Sequence, residues 1–485
     1  MAFEARIESV TDRAIAGYVY DDTAPNDAFD VEILWGERVI ATVRADAYRA
    51  DLQAAGKGSG NYGFAFTLER PADAAQPLEA RVAGKRWRIQ PLAAAYTDPR
   101  RRYLHTLEFG HPQVATGFTE AARAPDEAQI VERLIQAFHR ARKDEPRSPW
   151  RKWDIWAEIE SSRHGPMLRL LKRRDVEGLA GYLREAHAND VTWGITQGTQ
   201  MTAALQSDER QRRSVATEYA DNLASFAEYL GLLDLESPHQ RGQWGENLHA
   251  DPQAIVDQVG AQLGFPLETP AVIGAYFGLK TRGGIVTGRD LCALHAAMRL
   301  REIAMDLCIA TPRVCEIGGG MGGVAYYAAR MGMPFTIVDL ATVGVLQGYF
   351  LLRALPDKQV RLFGEDEPAG SEPAIRLLPP HRFGAPGAEY DLLLNQDSFP
   401  EMTSTYSVAY LQKAAANVRH AFLSINQEAR APQAGAARQA IVRELVEDAG
   451  GKFKLASRFR HWLRPGYVEE VYMRSLPEPA GRARA

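Results

Sequence analysis

The stretch Val314-Cys315-Glu316-Ile317-Gly318-Gly319-Gly320-Met321-Gly322-Gly323 decides the fold of this chain. Arg313–Ile317 reads as a short buried strand that carries an acid and runs straight into glycines, and a helix begins near Val324. Gly318, Gly320 and Gly322 let backbone approach a bound molecule where a Cβ would collide with it. About 20 residues on, Phe335–Val338 reads as the next strand and ends at Asp339. An acid there can hold both hydroxyls of an adenosine ribose. Strand, glycine loop, helix, strand and acid predict a ligand containing adenosine on an α/β sheet.

Three readings of the loop compete. A dinucleotide site expects Gly-x-Gly-x-x-Gly, whereas Gly318-x-Gly320-x-Gly322-Gly323 is followed directly by Val324, Ala325, Tyr326 and Tyr327. Glu316 lies two residues before the first glycine and suits the cationic methionine end of S-adenosylmethionine, for which a dinucleotide has no counterpart. A purely structural glycine turn is the third. Further along, Leu392–Leu394 and Phe422–Ile425 read as two more strands, so the region has the alternation of a parallel, doubly wound, Rossmann-like sheet. Its start is set at Asp251-Pro252, an N-cap acid with proline at the first helical position, and its end near residue 478.

Upstream, residues 1–92 read as a small β-sandwich. Val31, Ile33 and Trp35 alternate with Asp30, Glu32 and Leu34, Gly36-Glu37 turns the chain, and Val39, Ala41 and Val43 resume. The pattern recurs at Tyr62–Leu68 and over Leu78–Gln90, with Ala83-Gly84-Lys85 as a turn. Residues 93–125 read as linker. Residues 126–250 read as an all-α segment, opened by Ile130, Val131, Leu134, Ile135 and Phe138, with further helices over Trp153–Ile159, Val176–Ala186 and Ser214–Leu230.

At 485 residues the chain exceeds one ordinary domain. Its formal net charge of -4 argues against a grip on nucleic-acid phosphates. Three cysteines, Cys292, Cys308 and Cys315, have neither disulfide-framework nor zinc spacing, and no apolar run reaches the length of a membrane span. The N-terminus lacks the apolar core of a secretory signal, so a cytoplasmic protein is expected.

Glu316-Ile-Gly-Gly-Gly-Met-Gly-Gly-Val-Ala-Tyr-Tyr-Ala328, Val338-Asp339-Leu340, Leu346-Gln347-Gly348-Tyr349-Phe350-Leu351 and Asn395-Gln-Asp-Ser-Phe-Pro-Glu-Met402 resemble the sugar O-methyltransferases encoded among surface-polysaccharide genes. The resemblance spans roughly Gly264 to Met473. It implies a class I methyltransferase fold, S-adenosylmethionine as cofactor and a carbohydrate or nucleotide-sugar acceptor. Ala45-Asp46-Ala47-Tyr48-Arg49-Ala50-Asp51-Leu52 and the loop Gly56–Phe64 are similar to a β module appended to bacterial polysaccharide glycosyltransferases. Expected partners are therefore the acceptor, other polysaccharide-biosynthesis enzymes docked through that module, and a second copy of the chain in a homo-oligomer.

Ligands of open α/β sheets sit at the carboxyl ends of the strands. The cofactor site is thus expected from Glu316, Gly318, Gly320, Gly322, Asp339 and Asn395. Asp397, after the fourth strand, is the first candidate for the base that takes the acceptor proton, followed by Glu401 and His461. Tyr326, Tyr327 and Glu428 are candidates for the acceptor. Asp397 and Glu428 also offer the hard oxygen ligands that Mg²⁺ takes. Two other functions stay open at this stage: a natural-product O-methyltransferase with a broad apolar pocket, and a scaffold that binds cofactor without turnover.

Overall fold

The computed structural model describes residues 3–10, 13–21, 23–35, 38–68, 78–84, 111–146, 155–236, 245–366, 374–385, 387–430 and 439–475. The chain divides into two compact units, 1–111 and 112–485.

The first unit holds β1 (Phe3–Val10), β2 (Ala14–Asp21), β3 (Phe29–Trp35), β4 (Arg38–Ala45), β5 (Ala47–Tyr48), the short α1 (Ala50–Ala54), β6 (Asn61–Thr67) and β7 (Leu78–Val82). They form two antiparallel sheets, ordered β1-β2-β6-β5 and β4-β3-β7. Alternation in each strand turns one side chain in two inward, and Ile15, Val19, Phe64, Val31, Ile33 and Val82 from both sheets share one core. The turn expected at Gly36-Glu37, the strand beyond Gly84 and the boundary at residue 92 lie outside the described residues.

The second unit begins inside the expected linker. Residues 93–110 of that linker are not among those described, but Thr116–Phe118 is a strand (β8) paired with β9 (Phe277–Thr281), and β10 (Gly284–Val286) completes a small sheet. The expected division at residue 250 also falls within this unit. Helices α2 (Glu127–Asp144), α3 (Ile155–Ser162), α4 (Gly165–Arg173), α5 (Val176–Arg184), α7 (Glu209–Tyr229) and α8 (Pro252–Leu263) share a single core with the sheet behind them, and α6 (Thr199–Ser207) lies beside α7. Leu134 of α2 explains part of that union: its Cδ2 lies 2.4 Å from where a Cβ on Gly348 would stand, so the glycine lets α2 pack against the next layer.

That layer is α9 (Gly288–Asp306), β11 (Val314–Ile317), α10 (Gly323–Arg330), β12 (Phe335–Val338), α11 (Ala341–Ala354), β13 (Val360–Arg361), β14 (Ile375–Leu378), β15 (Tyr390–Gln396), α12 (Ser398–Glu401), α13 (Ser404–Asn417), β16 (Val418–Gln427), α14 (Val442–Asp448), β17 (Phe453–Arg460) and β18 (Tyr467–Arg474). The sheet order is β13-β14-β12-β11-β15-β16-β18-β17. From β13 to β16 every pair is parallel, and β18 runs antiparallel between β16 and β17. All four residues of β11 are buried, as a central parallel strand covered on both faces requires. The order reverses between β11 and β15, so the loops after these strands flank the switch point where α/β sheets bind ligands.

Candidate active site

A cleft of about 480 Å³ opens there. Its floor is the glycine loop. Gly318, Gly320 and Gly322 all have positive φ, at 77°, 54° and 87°. A Cβ on Gly318 would stand 2.3 Å from Ser398, so this glycine lets the loop after β11 touch the loop after β15. Gly318 and Gly320 line the cleft; Gly322 caps α10 and faces Leu351 instead.

Two acids stand beside the loop. Asp339 accepts from the Leu340 N–H at 2.8 Å and from Gln347 Nε2 at 2.7 Å, and the same Gln347 amide holds the Gly320 carbonyl at 3.0 Å. Desolvation, opposed by these bonds, pushes its carboxyl up to about 6. Glu316 is 2% exposed, lines the cleft, and its Oε2 has no hydrogen-bond partner among the described residues. Burial first, and then the charges of Asp339 and Asp397, raise this carboxyl well above the usual range. An orphaned buried carboxylate oxygen is costly unless a donor or cation completes it. The amine and sulfonium of S-adenosylmethionine are such cations, and Asp339 suits its ribose, so these residues fit that cofactor.

Across the cleft, Asp397 adopts φ 70°, a conformation that non-glycine residues seldom hold and that clusters at functional sites. Arg464 Nη1 donates to its Oδ2 at 2.8 Å, and Arg289 Nη1 is 3.7 Å from the same oxygen. Glu401 accepts from Trp156 Nε1 at 3.0 Å. Burial and the neighbouring Asp397 charge push its carboxyl up to about 7. Trp156, Ile195 and Thr196 show that the helical segment supplies one wall.

Several expected residues are elsewhere. Asn395 is fully buried and not in the cleft: its amide donates to the Ile317 carbonyl at 2.9 Å and to Ser398 Oγ at 2.6 Å, latching β11 to α12. Tyr326 and Tyr327 are buried in the packing of α10, where Tyr326 bonds Arg330 and Tyr327 stacks on Phe265. Glu428 pairs with Arg458 at 2.8 Å and does not line the cleft, so it brings no second carboxylate to Asp397 for Mg²⁺. His461 is 4% exposed, outside the cleft, and lies near His295 and Glu469. Its Nδ1 accepts the Arg464 N–H at 3.2 Å, which leaves its ring proton on Nε2 and no lone pair there for a metal.

Arg289, Arg464, Gln347 and Trp156 are the residues that motif reading missed as parts of the site. Gln347 sat inside a quoted motif; the rest carry no local signature, because only the tertiary fold brings α3, α9 and the β17–β18 turn to the ends of β11 and β15.

No family model and no curated protein matches the chain, so the sugar family read from its motifs stands on those residues alone. Solved structures similar to it include magnesium protoporphyrin IX methyltransferase from Synechocystis PCC 6803 with bound S-adenosylmethionine, at 15% identity, covering 39% of this chain and 80% of that one with a TM-score of 0.29. The glycopeptide N-methyltransferase MtfA is 16% identical, covering 38% and 90% with a TM-score of 0.28. A 1,6-didemethyltoxoflavin-N1-methyltransferase from Burkholderia thailandensis is 18% identical, covering 39% and 82% with a TM-score of 0.25. Overlaps this slight assign no activity, which must come from the cleft itself.

Proposed function

We propose that this chain is an S-adenosylmethionine-dependent O-methyltransferase acting on a hydroxyl of a sugar, glycan or nucleotide sugar in surface-polysaccharide biosynthesis. The observation that carries the cofactor is Glu316, whose buried Oε2 has no partner among the described residues and stands beside the glycine loop, where a cationic ligand would complete it. A dinucleotide would instead bring its pyrophosphate toward the Glu316 and Asp339 carboxylates. The antiparallel β18 also departs from the all-parallel order of dinucleotide-binding sheets. The sugar acceptor rests on the quoted motifs.

When bound, S-adenosylmethionine supplies an electrophilic methyl group. Asp339, oriented by the Leu340 N–H and Gln347, lines the cleft and would accept the ribose hydroxyls. Glu401, whose carboxyl burial and the Asp397 charge push up to about 7, takes the acceptor proton on a carboxylate oxygen, while the Trp156 indole fixes its orientation. Asp397, tied to Arg464, positions that side of the cleft. The base is therefore Glu401 in preference to Asp397.

One observation favours the second acceptor class. Trp156, Met402, Tyr406 and Tyr410 give the outer cleft an aromatic and apolar wall that suits a natural product as well as the apolar face of a sugar ring. A panel of glycans, nucleotide sugars and phenolic small molecules, read by mass spectrometry for a gained methyl group, separates the two. Methylation of a sugar is expected; methylation of phenols alone overturns the sugar assignment. Glu401→Gln is expected to lower turnover by ~10²–10⁴-fold with little change in cofactor affinity, and wild-type turnover would remove Glu401 from the mechanism.

A further inference from the structure

Beyond the acids of the floor, three cations line the cleft, Arg289, Arg464 and Lys413. Arg464 is committed: it donates to Asp397 and its guanidinium lies 3.6 Å from the Tyr467 ring centroid. Arg289 is not. It stands in the first turn of α9, where the Thr287–Asp290 capping box fixes the backbone, and its half-exposed side chain lines the cleft. Its nearest anion, Asp397 Oδ2, is 3.7 Å away, beyond hydrogen-bond reach, and that oxygen already serves Arg464. Lys413 of α13 also lines the cleft, and its ammonium has no hydrogen-bond or ion-pair partner among the described residues. Facing them are Asp397 and Glu401, the latter's carboxyl pushed up to about 7 by burial and by Asp397. Glu145 and His381, at the rim, are balanced by Arg142 and Asp144.

We infer that the acceptor is an anion, and that Arg289 binds its carboxylate or phosphate at the mouth of the cleft. A guanidinium offers a planar fork of donors that matches either group, and Arg289, with no hydrogen-bond partner among the described residues, is prepared for it. The anion would fix the acceptor so that one hydroxyl meets Glu401, giving regioselectivity from an anchor away from the reacting atoms. This rests on the methyltransferase reading, which it extends to the acceptor's charge.

The test uses the full chain saturated with S-adenosylhomocysteine, whose own binding is measured first. Calorimetry or ligand-observed NMR then follows inorganic phosphate, pyrophosphate, glucuronate and uncharged methyl glucoside. At least one of the three anions is expected to bind with a Kd of roughly 10 mM or tighter, and methyl glucoside to bind more weakly. Glucuronate and the phosphates separate a carboxylate from a phosphate acceptor. Arg289→Gln is expected to weaken the anion by ~10-fold or more, and Arg289→Lys by less, with S-adenosylhomocysteine affinity unchanged in both. No anion binding, or an unaltered Kd in Arg289→Gln, overturns the inference while leaving the cofactor site standing. Failure of S-adenosylhomocysteine to bind would overturn the cofactor site instead.

Discussion

Asp339→Asn should make the cofactor-free protein more stable and the cofactor site much weaker. The Asp339 carboxyl titrates near 6 in the folded chain against an ordinary 3.8, chiefly through desolvation. At 1.36 kcal/mol per unit that is ~3 kcal/mol of penalty on the ionised form. The carboxyl is raised, so its contribution favours folding at low pH and is lost as pH rises through 6. Asparagine removes the penalty and relieves Glu316, whose carboxyl the Asp339 charge also raises. Against this, an asparagine that keeps the Leu340 bond turns its NH₂ toward Gln347 Nε2 and forfeits ~1 kcal/mol. The balance is a gain of ~1–2 kcal/mol above about pH 7, vanishing toward pH 4. For a unit of this size that is roughly 1–3 °C in Tm. Loss of charge-assisted bonds to two ribose hydroxyls, at ~1.5–3 kcal/mol each, should weaken S-adenosylhomocysteine by ~10²-fold or more. Thermal melts across pH and calorimetry read both quantities. A variant destabilised at every pH would show that Asp339 carries no desolvation penalty, and one with wild-type affinity would show that it does not hold the cofactor.

Three further outcomes are expected. Glu316 must ionise to meet a cationic ligand, so S-adenosylhomocysteine binding should release protons and strengthen with rising pH; calorimetry in buffers of different ionisation heat should show this, and Glu316→Gln should abolish it. Gly318→Ala places a Cβ against Ser398 at positive φ and should cost ~1–3 kcal/mol of stability along with cofactor binding; a thermal melt matching wild type would show that the loops do not touch. A chain starting at Pro112 should fold and bind S-adenosylhomocysteine, whereas one starting at Asp126 loses β8 and the buried Thr119 hydroxyl bond to the Ile273 carbonyl, and should melt earlier.

The sheet was legible because its signals are local. β11, the glycine loop and Asp339 lie within one stretch, and burial on both faces writes the centres of β15 and β16 as the apolar runs Leu392–Leu394 and Ala421–Leu423. Glu316 and Asp339 belong to that same stretch, which is why the sequence could put both beside the glycine loop. Asn395 misled because a polar residue at a strand end reads as a ligand contact, and nothing in the sequence shows that its amide is consumed by Ile317 and Ser398. Tyr326 and Tyr327 misled similarly: aromatic rings next to a glycine loop suggest stacking, but helix phase turns both into the core. The balance between Asp397 and Glu401 could not be read at all, since it depends on Arg464 and Trp156, each distant in sequence. β8 was lost in a proline-containing stretch because three residues carry too little pattern to announce a strand.

Glu316, Asp339 and the glycine loop suit S-adenosylmethionine and not a dinucleotide. Titrating the full chain with S-adenosylhomocysteine, alone and in the presence of NADH, tests this most directly. Saturable one-to-one binding that NADH does not compete with, and that Asp339→Asn and Glu316→Gln each weaken, is the predicted result. NADH competing for the cleft, or no S-adenosylhomocysteine binding up to roughly 1 mM, would contradict it.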